Sequence, residues 1–431
     1  SYDDVNLFVE PASFLSKVKS KQDSYSFVDS VMATPLPTYG FDYSLVRNPD
    51  IDTAYNALIT YVIPGSPAAQ AGLERGDWIM KVDTSYISKK YETYLLQGTK
   101  AVKLTLGEWK EVEIEDEEDG NEGGDGEDEG PTMEYRVVPI DDPVEMPAAQ
   151  IVEDNPVHKY EIIESPVKKI RVGYLMYNSF TAGTKAEPEK YNNELRSVSQ
   201  KFKEAGVQAV ILDLRYNEGG SMDCVQLLGT ILTSADRLGE PMAYLEYNDK
   251  NTDKDATILF GTDREINLNL HSLIAITSGT TMGAPEMLIR SLFLEDTYPI
   301  ATVGSSTKGQ NVATEQFINE EFLWSVNPVV CTVYNSQHDT YGAISPATDL
   351  KVSETTIDGS TNYSEFLPFG TFDKDGKSER LLKIAIGVLD GTYPPKDDET
   401  PEESTPQTRF KVEKSVSSPA SRRFSSKGLR L

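Results

Sequence analysis

The sequence is poor in the residues that build metal, redox and membrane sites. Its two cysteines, Cys224 and Cys331, stand far apart and form no metal-ligand pattern, so they neither demand nor exclude an oxidising compartment. The three histidines (His158, His271 and His338) include no H-x-x-x-H spacing, which argues against zinc, and no other metal or cofactor is implied. No apolar run reaches the ~18 residues of a membrane-spanning helix. Basic charge is scarce, with 41 Lys and Arg against 69 Asp and Glu, a net −28. Twelve of the acidic residues fall between positions 111 and 129 with no basic residue among them, and the remainder still carries −16. A field of that sign repels phosphate, which excludes nucleic acid and anionic lipid as partners. The first residue is Ser1, not Met, so the chain reads as trimmed, and a signal or lipid-anchor segment is outside the sequence in view.

What is present suits globular cores. At 431 residues, 38% hydrophobic, with 22 Tyr, 15 Phe and 3 Trp, the chain is sized for two or three domains. A short helix is expected over 11–20. Residues 57–82, ALITYVIPGSPAAQAGLERGDWIMKV, read as a strand (58–63), a Pro-Gly turn, a small-residue helix and a second strand (78–82). The acidic run 111–130 cannot bury apolar surface and is expected as a solvated loop; it lacks the D-x-[DN]-x-[DN]-G order of a calcium loop. Flanking strands near 133–138 close this unit.

From position 170 the pattern becomes alternating strands and helices. Strand 170–177 precedes a helix from about 187, whose Tyr191, Leu195, Val198 and Phe202 step by four, three and four and so form one buried stripe. VQAVILDL (207–214) is the continuous apolar run of a strand covered on both faces. Strand 271–278, a helix from 285, strand 300–303 and a helix over 379–389 continue the alternation, which makes the second unit α/β. The Pro/Ser/Thr-rich end, 394–431, is expected to be a disordered tail.

Four motifs carry chemistry. SPAAQAGLERGDWI (66–79), preceded by Tyr39, Gly40 and Phe41, resembles the PDZ domain of the tail-specific, or carboxyl-terminal-processing, serine peptidases. DLRYNEGG (213–220) resembles that family's D-L-R-x-N-x-G-G element; physically, a buried strand ends and paired glycines open a helix with exposed N–H groups, which suit an oxyanion. TTMGAPEMLIRSL (280–292) and VGSSTKGQNV (303–312) match the segments that carry S-A-S-E and T-x-G-K in active members, and YGAISPATDL (341–350) resembles the G-x-x-P-D stretch. The resemblance covers roughly residues 27–389.

It implies an α/β core of the ClpP/crotonase-like type over 141–393, an inserted PDZ domain over 37–140 and a helical lead-in over 1–36. Peptide C-termini would be received at Tyr39, Gly40 and Phe41 by strand addition, the oxyanion hole would be built from Gly219, Gly220 and Ala284, and the location would be extracytoplasmic, in the periplasm or at the outer membrane. The departure lies in the reacting atoms. Alignment on Ala284 and Glu286 puts Gly283 at the nucleophile position, and alignment on Thr307 and Gly309 puts Gln310 at the position of the base lysine. Glycine has no side chain to attack a carbonyl, and an amide does not accept and return a proton near neutral pH. The expectation is a non-catalytic family member that binds polypeptide. Two alternatives remain: an active endopeptidase using the shifted pair Thr281 and Lys308, and a structural or assembly protein that binds no peptide.

Overall fold

The computed structural model describes residues 11–30, 36–90, 92–114, 132–319, 321, 324–352, 360–362, 366–373, 376–394, 409–418 and 427–431. The helix Pro11–Val18 leads into a strand, Phe27–Ser30, that pairs with Trp324–Asn327 of the second unit. The first unit is an antiparallel sheet of Phe41–Arg47, Tyr55–Val62, Trp78–Val82, Val102–Ile114 and Thr132–Pro139 in spatial order. Its short helix Pro67–Gln70 starts where the sequence provides both a cap and a preset φ. Ser66 accepts a hydrogen bond from the Ala69 N–H at 3.2 Å, and proline takes the first helical position. The acidic run begins on one strand of the Val102–Ile114 and Thr132–Pro139 hairpin; its residues 115–131 lie outside the described residues.

The second unit is built on a sheet ordered Ile300–Gly304, Leu273–Thr277, Ala209–Asp213, Arg171–Tyr177 and Val157–Glu164, with the first four strands parallel. Every residue of Ala209–Asp213 and of Leu273–Thr277 is buried, as strands covered on both faces require. Alternate residues serve opposite cores. Leu175, Val210, Leu212 and Ala275 pack with the helices Lys190–Glu204, Met222–Leu232 and Ala284–Leu292, whereas Tyr174, Ile211, Ile274 and Ile276 pack with the helix Arg380–Asp390. The stripe expected from the four-three-four spacing, Tyr191, Leu195, Val198 and Phe202, is buried.

A second sheet lies beside the helices, ordered Gly219–Ser221, Gly428–Arg430, Val312–Thr314, Val329–Tyr334, Pro241–Tyr247 and Ala256–Leu259. Its composition corrects the expectation of a disordered end. Within that end, Arg409–Val416 forms a strand paired antiparallel with Phe41–Arg47, and Gly428–Arg430 forms a strand between two others. The physical reason is that these segments do not order alone: Phe410 (6% exposed) and Leu429 (1%) find apolar partners only on sheets assembled from distant sequence. Among the described residues no helix is long and apolar enough to cross a membrane.

The Asp213 and Arg215 of the 213–220 motif are structural. The Arg215 guanidinium lies between Asp213 (2.7 Å) and Glu379 (2.9 Å), all three at most 1% exposed, and the Tyr174 hydroxyl donates to Asp213 at 2.8 Å. The network ties the end of a central strand to the start of the last helix, where Glu379 also accepts from the Leu382 N–H. Arg215→Met is expected to leave two buried carboxylates without their cation and to destabilise the second unit by ~3–5 kcal/mol. Urea denaturation followed by far-ultraviolet circular dichroism checks it.

Candidate functional site

The site forms where the 213–220 motif, the start of helix Ala284–Leu292 and the 307–310 loop meet. Asn217, fully buried, fixes the first: its Nδ2 donates to the Tyr177 carbonyl at 2.8 Å and its Oδ1 accepts from the Gly219 N–H at 2.9 Å. Its own carbonyl accepts from the Met282 N–H at 3.2 Å, which brings the second segment alongside. Glu286 joins the second to the third. Its carboxylate, 0% exposed, accepts from the N–H groups of Gly283 (2.8 Å), Gly309 (2.5 Å) and Gln310 (2.9 Å) and from the Thr307 hydroxyl. A buried carboxylate is tolerable when its lone pairs are filled in this way. The residues at the two degenerate positions, Gly283 and Gln310, thus hang on a single anion.

Gly283 precedes the helix at φ +73°, ψ −102°, a conformation natural to glycine. A Cβ at this position would lie 2.5 Å from the carbonyl carbon of Gly428 and 2.6 Å from the Leu429 nitrogen. Gln310 is 2% exposed; its Nε2 donates to the Val312 carbonyl at 3.0 Å, and its Oε1 is buried with no hydrogen-bond partner among the described residues. The side chains of the shifted pair, Thr281 and Lys308, have separate surroundings. The Thr281 hydroxyl, fully buried, donates to the Leu214 carbonyl at 2.9 Å and accepts from the Ser278 N–H at 3.0 Å, while the Lys308 side chain is exposed. The two segments meet instead through the backbone, Lys308 N–H to Thr281 carbonyl at 3.0 Å.

Of the oxyanion candidates, Gly219 directs its N–H at Asn217. Gly220 lies on the strand that pairs in parallel with Gly428–Arg430, and Ala284 is the first residue of its helix, fully buried. Glu218, beside them, has its carboxyl raised by burial, with Lys427 and Lys308 pulling it back. In the first unit Tyr39 and Phe41 are buried (1% and 4%), and Gly40 turns between them at φ +82°. The strand Phe41–Arg47, expected to offer an edge to a peptide, already pairs with Arg409–Val416; Ser418 N–H donates to Asp42 at 2.6 Å, and the hydroxyls of Thr38 and Ser418 share a hydrogen bond at 3.0 Å.

A model of peptidase family S41 matches residues 171–326, and a PDZ domain model matches residues 58–105. A crystal structure of a protein from Bacteroides fragilis NCTC 9343, assigned to the S41 proteases, is 39% identical over 89% of this chain and 91% of its own, with a TM-score of 0.73. The chain belongs to the S41 peptidase family. It combines that family's mixed α/β core with a PDZ domain. A photosystem II D1 C-terminal processing protease is a further similar solved structure, 16% identical over 79% of this chain and 80% of its own, at a TM-score of 0.40. No curated protein matches the sequence.

Two contributors to this S41 site escaped the sequence reading. Glu286 reads from sequence as an ordinary first-turn acid, since a helix start favours one in any protein; that it also gathers the 307–310 loop is visible only in three dimensions. The segment 427–431 carried no signal beyond a glycine among leucines. No group of three or more potential metal ligands occurs among the described residues. Both cysteines are buried, and burial pushes Cys224 up to about 12 and Cys331 up to about 11.

Two outcomes are expected. Because a raised thiol pKa means a smaller thiolate fraction, native protein at pH 8 should leave both cysteines unreacted with Ellman's reagent, and urea-denatured protein should titrate both. Glu286→Ala strands three backbone N–H groups and a hydroxyl and should cost ~3 kcal/mol or more, with Glu286→Gln milder because one acceptor oxygen remains. Thermal unfolding of the three proteins gives the order.

Proposed function

We propose that this chain is a non-catalytic member of the S41 family that binds extended polypeptide through its PDZ domain and relict cleft. The observation that supports it is the pair of residues at the catalytic positions: glycine where the nucleophile belongs and a buried amide where the proton acceptor belongs. In serine peptidases of another class, losing nucleophile or base lowers turnover on the order of a million-fold, and donors to the oxyanion recover only a small part. The helix start and the Glu286 hydrogen bonds are intact, so the scaffold is kept without its reacting atoms. An extracytoplasmic location, in the periplasm or at the outer membrane, belongs to the same reading and rests on the family.

The reading with Thr281 and Lys308 as a substitute dyad has less support, because the threonine hydroxyl is committed to a backbone carbonyl and the lysine faces solvent. One experiment separates the possibilities. The full chain is mixed with a fluorescently labelled, permanently unfolded polypeptide, and anisotropy and fragment size are read together. A rise in anisotropy without fragments is expected. Fragments that vanish in Lys308→Ala would establish the shifted dyad, and neither binding nor fragments would leave a structural or assembly role.

A further inference from the structure

The segment 427–431 lies across the site just described, and the manner in which it lies there names the ligand that the cleft takes. Gly428–Arg430 pairs in parallel with Gly219–Ser221 on one side and with Val312–Thr314 on the other. Gly428 N–H donates to the Glu218 carbonyl at 2.6 Å, the Thr314 hydroxyl donates to the Leu429 carbonyl at 3.2 Å, and Leu431 N–H donates to the Thr314 carbonyl at 3.0 Å. In a parallel ladder a residue bonds the neighbours on either side of its partner, so with Gly428 opposite Gly219 its carbonyl faces the N–H of Gly220, one of the oxyanion candidates. The Gly428–Leu429 peptide therefore rests between that N–H and the place a nucleophile side chain would fill, the Cβ position of residue 283.

The fit depends on absent side chains. A Cβ on Gly219 would fall 1.8 Å from the Gly428 carbonyl oxygen, and a Cβ on Gly428 would fall 2.4 Å from Gln310 Oε1. Gly428 is at φ +70°, which disfavours any other residue there. Leu429, 1% exposed, joins the main apolar core beside the three helices. Upstream, residues 409–418 of the same segment cover the PDZ strand that would receive a peptide.

We propose that residues 409–418 and 427–431 are this protein's own polypeptide ligand, the first held by the PDZ strand and the second by the relict cleft, and that an external chain enters only by displacing them. The cleft selects a segment with glycine, free to take positive φ, facing residues 283 and 310 and leucine next, as in Lys427-Gly428-Leu429-Arg430. The inference deepens the non-catalytic reading and rests on it, since Gly283 then supplies room for the strand in place of a nucleophile.

Hydrogen–deuterium exchange of the full wild-type chain tests occupancy without any variant: residues 428–431 should be protected at least ~100-fold relative to the free peptide Ser-Ser-Lys-Gly-Leu-Arg-Leu. Exchange at the free-peptide rate would overturn the proposal, and it would do so whether or not the chain cleaves an unfolded polypeptide, which the earlier experiment reads separately. Leu429→Asp places a carboxylate in the apolar core and should release the strand. This variant should bind the labelled peptide at least ~10-fold more tightly than wild type, because the competing cis segment is gone. The same peptide with valine for glycine should not bind. A Leu429→Asp protein with wild-type thermal stability that binds neither peptide, or both equally, would contradict the assigned cleft specificity.

Discussion

The Glu286 carboxylate is the point on which the site turns. It is wholly buried, without a neighbouring cation among its hydrogen-bond donors, and it is satisfied by three N–H groups and one hydroxyl. Two of those N–H groups belong to the loop that ends in Gln310 and one to the residue before the helix. Their common acceptor fixes the separation of segments that lie over twenty residues apart in sequence. Because leaving such donors unpaired in the interior is costly, this carboxylate holds the geometry of the positions that the motifs align with the family's nucleophile and base. The donors at residues 283 and 310 are backbone N–H groups, so the bonds to Glu286 form with glycine and glutamine at these positions.

The same logic extends outward. Asn217 and the Asp213, Arg215 and Glu379 network hold the glycine pair against the sheet, again through groups that position the backbone. The cleft that results holds Gly428–Arg430 by main chain on both edges, and the glycines that crowd the strand concentrate the side-chain constraint at Gly428 and the apolar Leu429 after it.

Much of this was legible in the sequence because the periodic signals were strong and local. The apolar run 207–214 and the stripe from Tyr191 to Phe202 each specify an element without help from distant residues. Motif spacing singled out Gly283 and Gln310, and the structure brings both within contact range of one strand. The C-terminal strands were not, for a definite reason. Phe410, Val412 and Leu429 are sparse apolar residues in a polar, proline-containing stretch, and their partners lie far upstream, many of them hundreds of residues away. A strand whose order comes entirely from the sheet it joins leaves almost no trace in its own composition. The reach of Glu286 leaves no trace in the sequence, since a first-turn acid is common enough to explain itself.

The placement of Gly428–Arg430 also has a bearing on assembly. The strand sits inside its sheet, with Gly219–Ser221 on one flank and Val312–Thr314 on the other, yet it follows every other described strand in sequence. Its contact with Gly219 spans about two hundred residues, the kind of closure that slows folding. During synthesis the two flanking strands must therefore wait with open edges, and the sheet becomes continuous only after translation has passed residue 430. A nascent chain of this protein has a period in which its groove stands empty, and any extended segment nearby, including one from a neighbouring nascent chain, can compete for it.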